Sequence, residues 1–282
     1  MLPVIPVVLA GAAAAAGFVT GQRRWKARGH RLREQLDAAR VQILPARVDR
    51  AEIDLLPRPA RDWLANAILP DAPMTATVEM EHAGEFDSAA SGRPRWGAFT
   101  SRQKVILKRP GFLWDARIAL PGGLRVAVHD AYVAGDGVLE AALAGAVTLV
   151  QQRDSDELAR GELLRFLAET PWYPTALLPS QGVRWLDGSG RTALATLADG
   201  NVRATLQFRF GADGMVESVL AEARGRTVGK TTVATPWEGR WSGWETRGPF
   251  VVPTEGEVAW LLPEGRRPYW RGRLCTITHQ PA

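Results

Sequence analysis

Apolar and polar positions change their spacing twice along this 282-residue chain, and the changes divide it into three parts. From Leu2 to Val19 no side chain is charged. As a helix that stretch spans roughly 27 Å, about the thickness of a bilayer core, so residues 1–20 read as a membrane anchor. Residues 21–70 read as a basic juxtamembrane stalk, helical over His30–Ile43 and again over Leu55–Ile68, where Pro57 and Pro59 interrupt the pattern. Beyond Met74, short runs rich in Val, Thr, Leu, Phe and Trp alternate with turn signals such as Pro110-Gly111, Gly135-Asp136-Gly137, Asp187-Gly188, Asp199-Gly200 and Asp213-Gly214. Each supplies the positive or preset φ that a hairpin requires. Ala204–Phe210 and Val216–Ala223 read as antiparallel neighbours, and residues 71–282 as one β domain. Helix-length segments do not alternate with the strands, which argues against a parallel α/β sheet.

Roughly ten strands in one antiparallel meander twist too strongly to stay flat. The expected fold is therefore mainly β (α+β), a curled antiparallel sheet or half-barrel whose concave face is plugged by a helix. That helix is predicted in Gly161–Leu178, GELLRFLAETPWYPTALL, with Gln151–Arg160 as the loop leading into it. On a helical wheel Glu162, Arg165 and Glu169 share an arc of roughly 60°, with apolar residues around most of the rest. So thin a charged stripe predicts a buried helix whose charges pair at i, i+3 and i+4. Pro171 ends the helix, because proline lacks the backbone donor and restricts the residue before it. Trp172 and Tyr173 follow. Two roles are consistent with this stripe: a structural plug with an internal ion pair, or one wall of a ligand site.

Charge distribution sharpens the picture. The sequence pI near 9.9 invites a nucleic-acid reading. Between Gly21 and Arg50, however, nine Lys/Arg face three Asp/Glu, which leaves the rest of a chain of net charge +5 at about −1. The basicity belongs to the segment flanking the anchor, where cations attract anionic lipid headgroups, and no nucleic-acid partner is expected. Arg23, Arg24, Lys26, Arg28, Arg31 and Arg33 follow the apolar run. By the positive-inside rule they predict a single-pass protein of the inner (cytoplasmic) membrane with its body on the cytoplasmic side; a periplasmic body is the alternative. Cys275 is the only cysteine, which excludes an intrachain disulfide, and its strand-like surroundings predict a buried, inert thiol.

Several catalytic motifs fail on inspection. Gly225–Thr231 has too few residues between its glycines for a phosphate loop and reads as a hairpin turn. Ser101-Arg-Gln-Lys104 lacks companion motifs, and no GxSxG or HExxH occurs. Histidines stand only at 30, 82, 129 and 279, without helical ligand spacing, so neither a metal nor a cofactor is expected. What remains is eleven tryptophans interleaved with isolated charges. They serve core packing, or they line an apolar pocket with a few orienting polar groups. The candidate ligand-binding residues are Asp130, Tyr132, Glu162, Arg165, Glu169, Trp172, Tyr173, Trp237, Glu238, Trp270 and Arg271. A glutamate buried among indoles has a raised pKa, so Glu162 or Glu238, with Tyr173 or Arg165, supports an enzyme acting on a hydrophobic substrate as the alternative to a binding protein.

Phe112-Leu-Trp114-Asp-Ala, Asp130-Ala-Tyr132, the 161–178 segment, Pro236-Trp237-Glu238-Gly239 and Tyr269-Trp270-Arg271-Gly272 together resemble an uncharacterised bacterial family, a membrane-anchored domain of unknown function. The resemblance runs from about residue 50 onward and implies a hydrophobic N-terminal segment but no activity. More distantly, the inferred fold is similar to the lipoprotein-carrier half-barrel, whose concave face holds acyl chains. That similarity implies a membrane-associated binding protein for a lipid or other hydrophobic molecule.

Overall fold

Turn glycines divide the body into hairpins where the sequence predicts them. Gly135 (φ 100°) and Gly200 (φ 58°) sit in the left-handed region at two of these turns, a conformation that costs a residue with a Cβ. The computed structural model describes residues 4–89, 92–229 and 231–282, with side chains from residue 15 onward. Its first meander comprises β1 (Thr75–Asp87), β2 (Trp96–Ile106), β3 (Gly111–Ala119), β4 (Arg125–Val133), β5 (Asp136–Leu143) and β6 (Val147–Gln152). The second comprises β7 (Arg184–Asp187), β8 (Thr192–Asp199), β9 (Val202–Phe210), β10 (Val216–Val228), β11 (Thr231–Arg247), β12 (Phe250–Leu262) and β13 (Gly265–Pro281). Pairing of β1 with β13 joins them into one antiparallel sheet of thirteen strands, with β6 and β7 at its two edges. The sheet is unclosed.

The chain leaves one edge at β6 and enters the other at β7, and the helix α4 (Asp156–Ala168) lies between them across the concave face. It contacts β4, β5, β9 and β10. The helix begins inside the segment expected to be a loop. Ser155 caps it by accepting from Leu158 N, and Asp156 and Glu157 occupy the first turn, where carboxylates complement the helix dipole. Regular α-helix stops at Ala168, ahead of Pro171 as expected, and the chain continues as short 3₁₀ turns, Thr170–Trp172, Pro174–Leu177 and Pro179–Gln181. Prolines at the start of each turn prevent a longer helix.

A single helix, α1 (Val4–Ala38), runs through both the expected anchor and the start of the stalk. Among the described residues no helix is long and apolar enough to cross a membrane; residues 1–3 and the side chains of 4–14, which make up most of the expected anchor, lie outside them. The C-terminal half of α1 packs on the convex face of the sheet. Leu32 and Leu36 join Leu113 and Ala131, while Trp25 stacks on His129 with ring centroids 4.0 Å apart. Strands β3 and β4 are therefore buried on both faces, with Phe112, Trp114 and Tyr132 turned inward and Leu113, Ala127 and Ala131 turned to α1. Beneath α1 the buried Glu140 accepts from Arg153 at 2.8 and 3.1 Å and also faces Arg28 and His129. Burial alone would raise its pKa, but His129, Arg153 and Arg28 outweigh burial and hold it down at about 2.

Pro57 and Pro59 divide the next helical stretch into α2 (Arg50–Asp54) and α3 (Arg58–Ala67). Trp63 of α3 is fully buried against Phe210 and Trp244, and the chain then bridges to the β11–β12 turn through Leu69 N and Pro249 O. Cys275 corrects the expectation of a buried thiol. It is exposed, because inward-facing Leu274 leaves its neighbour on β13 pointing out.

Candidate functional site

Arg165 is the hub of the concave face. Its Nε donates to Glu169 Oε1 at 2.7 Å and its Nη1 to Asp130 Oδ2 at 2.6 Å, tying α4 to β4. The guanidinium lies 4.8 Å from the Phe112 ring and 5.1 Å from the Trp114 ring, a cation–π arrangement. Gln103 Nε2 donates to the other oxygen of Glu169 at 2.5 Å. Burial disfavours the Arg165 charge, but Glu169, Asp130 and Glu162 outweigh it and raise the pKa above the ordinary arginine value. The predicted i, i+4 pair on a buried helix is therefore present.

One helical turn earlier, Glu162 is less well served. Arg224 of β10 reaches its Oε1 at 3.4 Å and stacks at 4.7 Å over Trp237, while Glu162 Oε2 and Asp130 Oδ1 are buried without a hydrogen bond from any other residue. Burial pushes Glu162 up to about 8, the Asp130 charge adds to that, and Arg224 with Arg165 offsets only part. At neutral pH Glu162 is therefore mostly protonated, leaving two arginines against two carboxylates. His82 is buried 4.5 Å from Trp172, with neither ring nitrogen hydrogen-bonded. Burial, followed by the nearby Arg165 charge, lowers its pKa to about 3, so this ring is neutral.

These charges form the floor of a cavity of about 570 Å³ enclosed between α4 and the sheet. Trp172, Trp237, Trp241, Trp260 and Trp270 line much of it. Glycines let the indoles lie flat on the strands: a Cβ at Gly256 would come within 2.7 Å of the Trp241 ring, and one at Gly272 would overlap the Trp270 ring. Trp172 meets Trp241 edge-on at 4.6 Å and sends its Nε1 hydrogen to Pro253 O. At the other end the lining includes the solvent-exposed Ser88 and Thr227, which mark the mouth.

Of the residues singled out from sequence, the fold brings Asp130, Glu162, Arg165, Glu169, Trp172, Trp237 and Trp270 into this cavity. Four lie elsewhere. Tyr132 is buried and donates to Asp199 Oδ2 at 3.0 Å, and Tyr173 is buried and donates to Phe166 O at 2.8 Å; neither lines the cavity. Glu238 and Arg271 lie outside it, because strand alternation turns both to the convex face. There Glu238 pairs with Arg240 and Arg266, and Arg271 pairs with Glu257 and stacks over Trp96. Neighbouring Trp237 and Trp270 point in for the same reason. Sequence reading missed Arg224 and Gln103. The irregularity in pairing between Ala221 and Arg224 turns Arg224 inward against a simple two-residue count, so no sequence periodicity reveals it. Gln103 does follow the inward alternation of β2, which was legible. No group of three or more His, Cys, Asp or Glu among the described residues is placed to hold a metal ion.

Residues 54–279 match the model of a family of unknown function (DUF6920). The chain belongs to this family. The resemblance seen in the 161–178 segment and the aromatic motifs is thereby borne out, and it brings no activity with it. No curated protein matches the chain. Among solved structures, a putative outer membrane lipoprotein-sorting protein domain from Vibrio parahaemolyticus is similar at 9% identity, covering 73% of this chain and 86% of its own, with a TM-score of 0.38. A LolA superfamily protein from Nitrosomonas europaea is similar at 7% identity over 79% of this chain and 92% of its own, with a TM-score of 0.34.

Proposed function

We propose that this protein is a binding protein for a lipid or another hydrophobic small molecule, held in the cavity between α4 and the curled sheet. The observation that carries this reading is an indole-lined cavity of about 570 Å³ that runs from an open mouth to a buried charged floor. Small-molecule sites are commonly of about 300–1,000 Å³, mostly apolar, with a few polar groups that fix orientation. Each buried methylene contributes about 0.8 kcal/mol, so a chain of about ten gains on the order of 8 kcal/mol before ordering costs. The floor selects the polar end of the ligand. With Glu162 protonated, its charges balance, and the acid hydrogen is shared with Asp130, so the floor offers hydrogen-bonding oxygens rather than a net charge. An uncharged group that carries a donor, such as a hydroxyl or an N–H amide, meets this floor without adding an unpaired charge in a buried place.

In this reading the basic face of α1 and its apolar N-terminal half keep the protein at an anionic membrane surface, with the body on the cytoplasmic side. Protease treatment of spheroplasts tests the side: cleavage of the body from outside overturns that placement. The cavity is tested by filling it. Val258→Trp or Ala141→Trp, both at lining positions, is expected to weaken binding of a fluorescent apolar probe by more than about tenfold while the fold persists. Filled variants that bind the probe as well as the unaltered protein overturn the cavity as the site.

A further inference from the structure

The mouth of the cavity is bordered by Leu120 and Val126 at one side, edge strand β6 through Val150, and the β10–β11 hairpin through Thr227. Exposed apolar side chains sit next to each of these borders. Leu124 lies between Leu120 and Val126, Val147 and Leu149 precede Val150 on β6, and Val228 and Val233 flank the hairpin tip next to Thr227. Among the described residues the exposed large hydrophobics number eleven, and the only ones besides these five and Phe18 and Val19 of α1 are Val41, Leu44, Leu55 and Leu186. Such clustering is unusual for a surface that meets only water.

Two independent features point to the same partner. Helix α1 crosses the convex face toward this end of the sheet. Its Gly21 packs on Ala146, and Gln22 Nε2 donates to Ala144 O. The exposed Phe18 and Val19 lie within one helical turn of these contacts with the β5–β6 turn. Cations accompany the apolar groups: Arg125 follows Leu124, Arg93 and Arg95 occupy the loop after Ser88, and Arg23, Arg24 and Lys26 stand on α1, all six exposed. Acids are fewer: Asp154, Asp156 and Glu157 follow β6 in the turn into α4, and Glu264 lies in the β12–β13 turn. Apolar side chains ringed by Lys and Arg match the headgroup boundary of an anionic bilayer, which takes apolar groups at shallow depth and cations at its phosphates.

We propose that the mouth of the half-barrel docks directly onto an anionic lipid bilayer, the β6 edge and the β10–β11 hairpin entering the headgroup region on either side of the opening. Ligand then passes between bilayer and cavity without crossing water, a consequence that rests on the binding reading above, whereas the docking itself does not. Co-sedimentation of the full chain with vesicles of phosphatidylcholine mixed with phosphatidylglycerol, and of phosphatidylcholine alone, tests it. Binding is expected to the mixed vesicles, with a drop of about tenfold or more for Val147→Asp with Leu149→Asp, and separately for Val228→Asp with Val233→Asp. Arg93→Glu, Arg95→Glu and Arg125→Glu together are expected to remove the preference for the anionic vesicles. The second apolar pair keeps the test intact should the first disturb the sheet edge. No binding by the unaltered chain, or undiminished binding by both apolar pairs, which would leave α1 as the sole contact, overturns the proposal. Binding of N-phenylnaphthylamine without vesicles reports the cavity separately. Probe retained with docking lost counts against docking alone, and probe lost with docking retained counts against the binding reading alone.

Discussion

Two buried glutamates, on opposite faces of one sheet, have been driven in opposite directions. Glu140 lies under α1 on the convex face, where Arg153, Arg28 and His129 surround it, and its pKa falls to about 2. Glu162 lies on α4 in the hollow with one long contact to Arg224 and the negative Asp130 nearby, and its pKa rises to about 8. Surface accessibility does not separate them, since both are almost inaccessible. Partners do. A carboxylate that accepts two hydrogen bonds from one arginine and faces a second clamps a helix to a sheet; one facing an open cavity with a single long arginine contact is left closer to its neutral form.

The largest effect expected from breaking this contrast is at Arg165, which neutralises Asp130 and Glu169 together. Arg165→Leu leaves two buried carboxylates uncompensated and is expected to cost about 4 kcal/mol in denaturant unfolding. Glu140→Leu strands His129 and the arginines beneath α1. It is expected to cost about 3 kcal/mol and to open the C-terminal half of α1 to hydrogen exchange while leaving probe binding in the cavity intact. Loss of probe binding in Glu140→Leu at unchanged α1 protection contradicts the assignment of the two faces.

Titration sharpens the contrast because the signs differ. Glu140 has its folded pKa depressed, so its contribution is present above the ordinary value of 4.5 and is lost as pH falls toward 2. Glu162 has its folded pKa raised, so its contribution is present below 4.5 and is lost as pH rises toward 8. Melting temperature followed across pH is expected to lose its acid-side slope in Glu140→Gln and to flatten between pH 4.5 and 8 in Glu162→Gln. A Glu162→Gln profile parallel to that of the unaltered protein removes the case for a protonated floor. The smallest effect is on the outer surface. Arg271→Ala breaks a half-exposed pair with Glu257 and is expected to change stability by less than about 1 kcal/mol and probe binding not at all.

Much of this architecture was legible before any coordinates. The charged stripe of Glu162, Arg165 and Glu169 predicted a buried, self-pairing helix, and Pro171 predicted its end. Turn glycines predicted the hairpins, and the inadequacy of a flat meander predicted the curl. The strand count came out low, because short edge strands such as β6 and β7 carry little alternation. The start of α4 was placed too late, since Ser155 and the two acids after it look equally like a loop.

What the sequence determined by itself is local: where the chain must turn, where proline forbids a helix, and which helix carries charge into an apolar setting. Those are properties of a residue and its near neighbours. Only the tertiary structure decided which face of the sheet each strand residue met. It sent Glu238 and Arg271 out while their neighbours Trp237 and Trp270 went in, and an irregular pairing before Arg224 brought a second arginine to the floor. A side chain on a strand changes faces with a slip of one residue, and register is set by pairing partners distant in the chain.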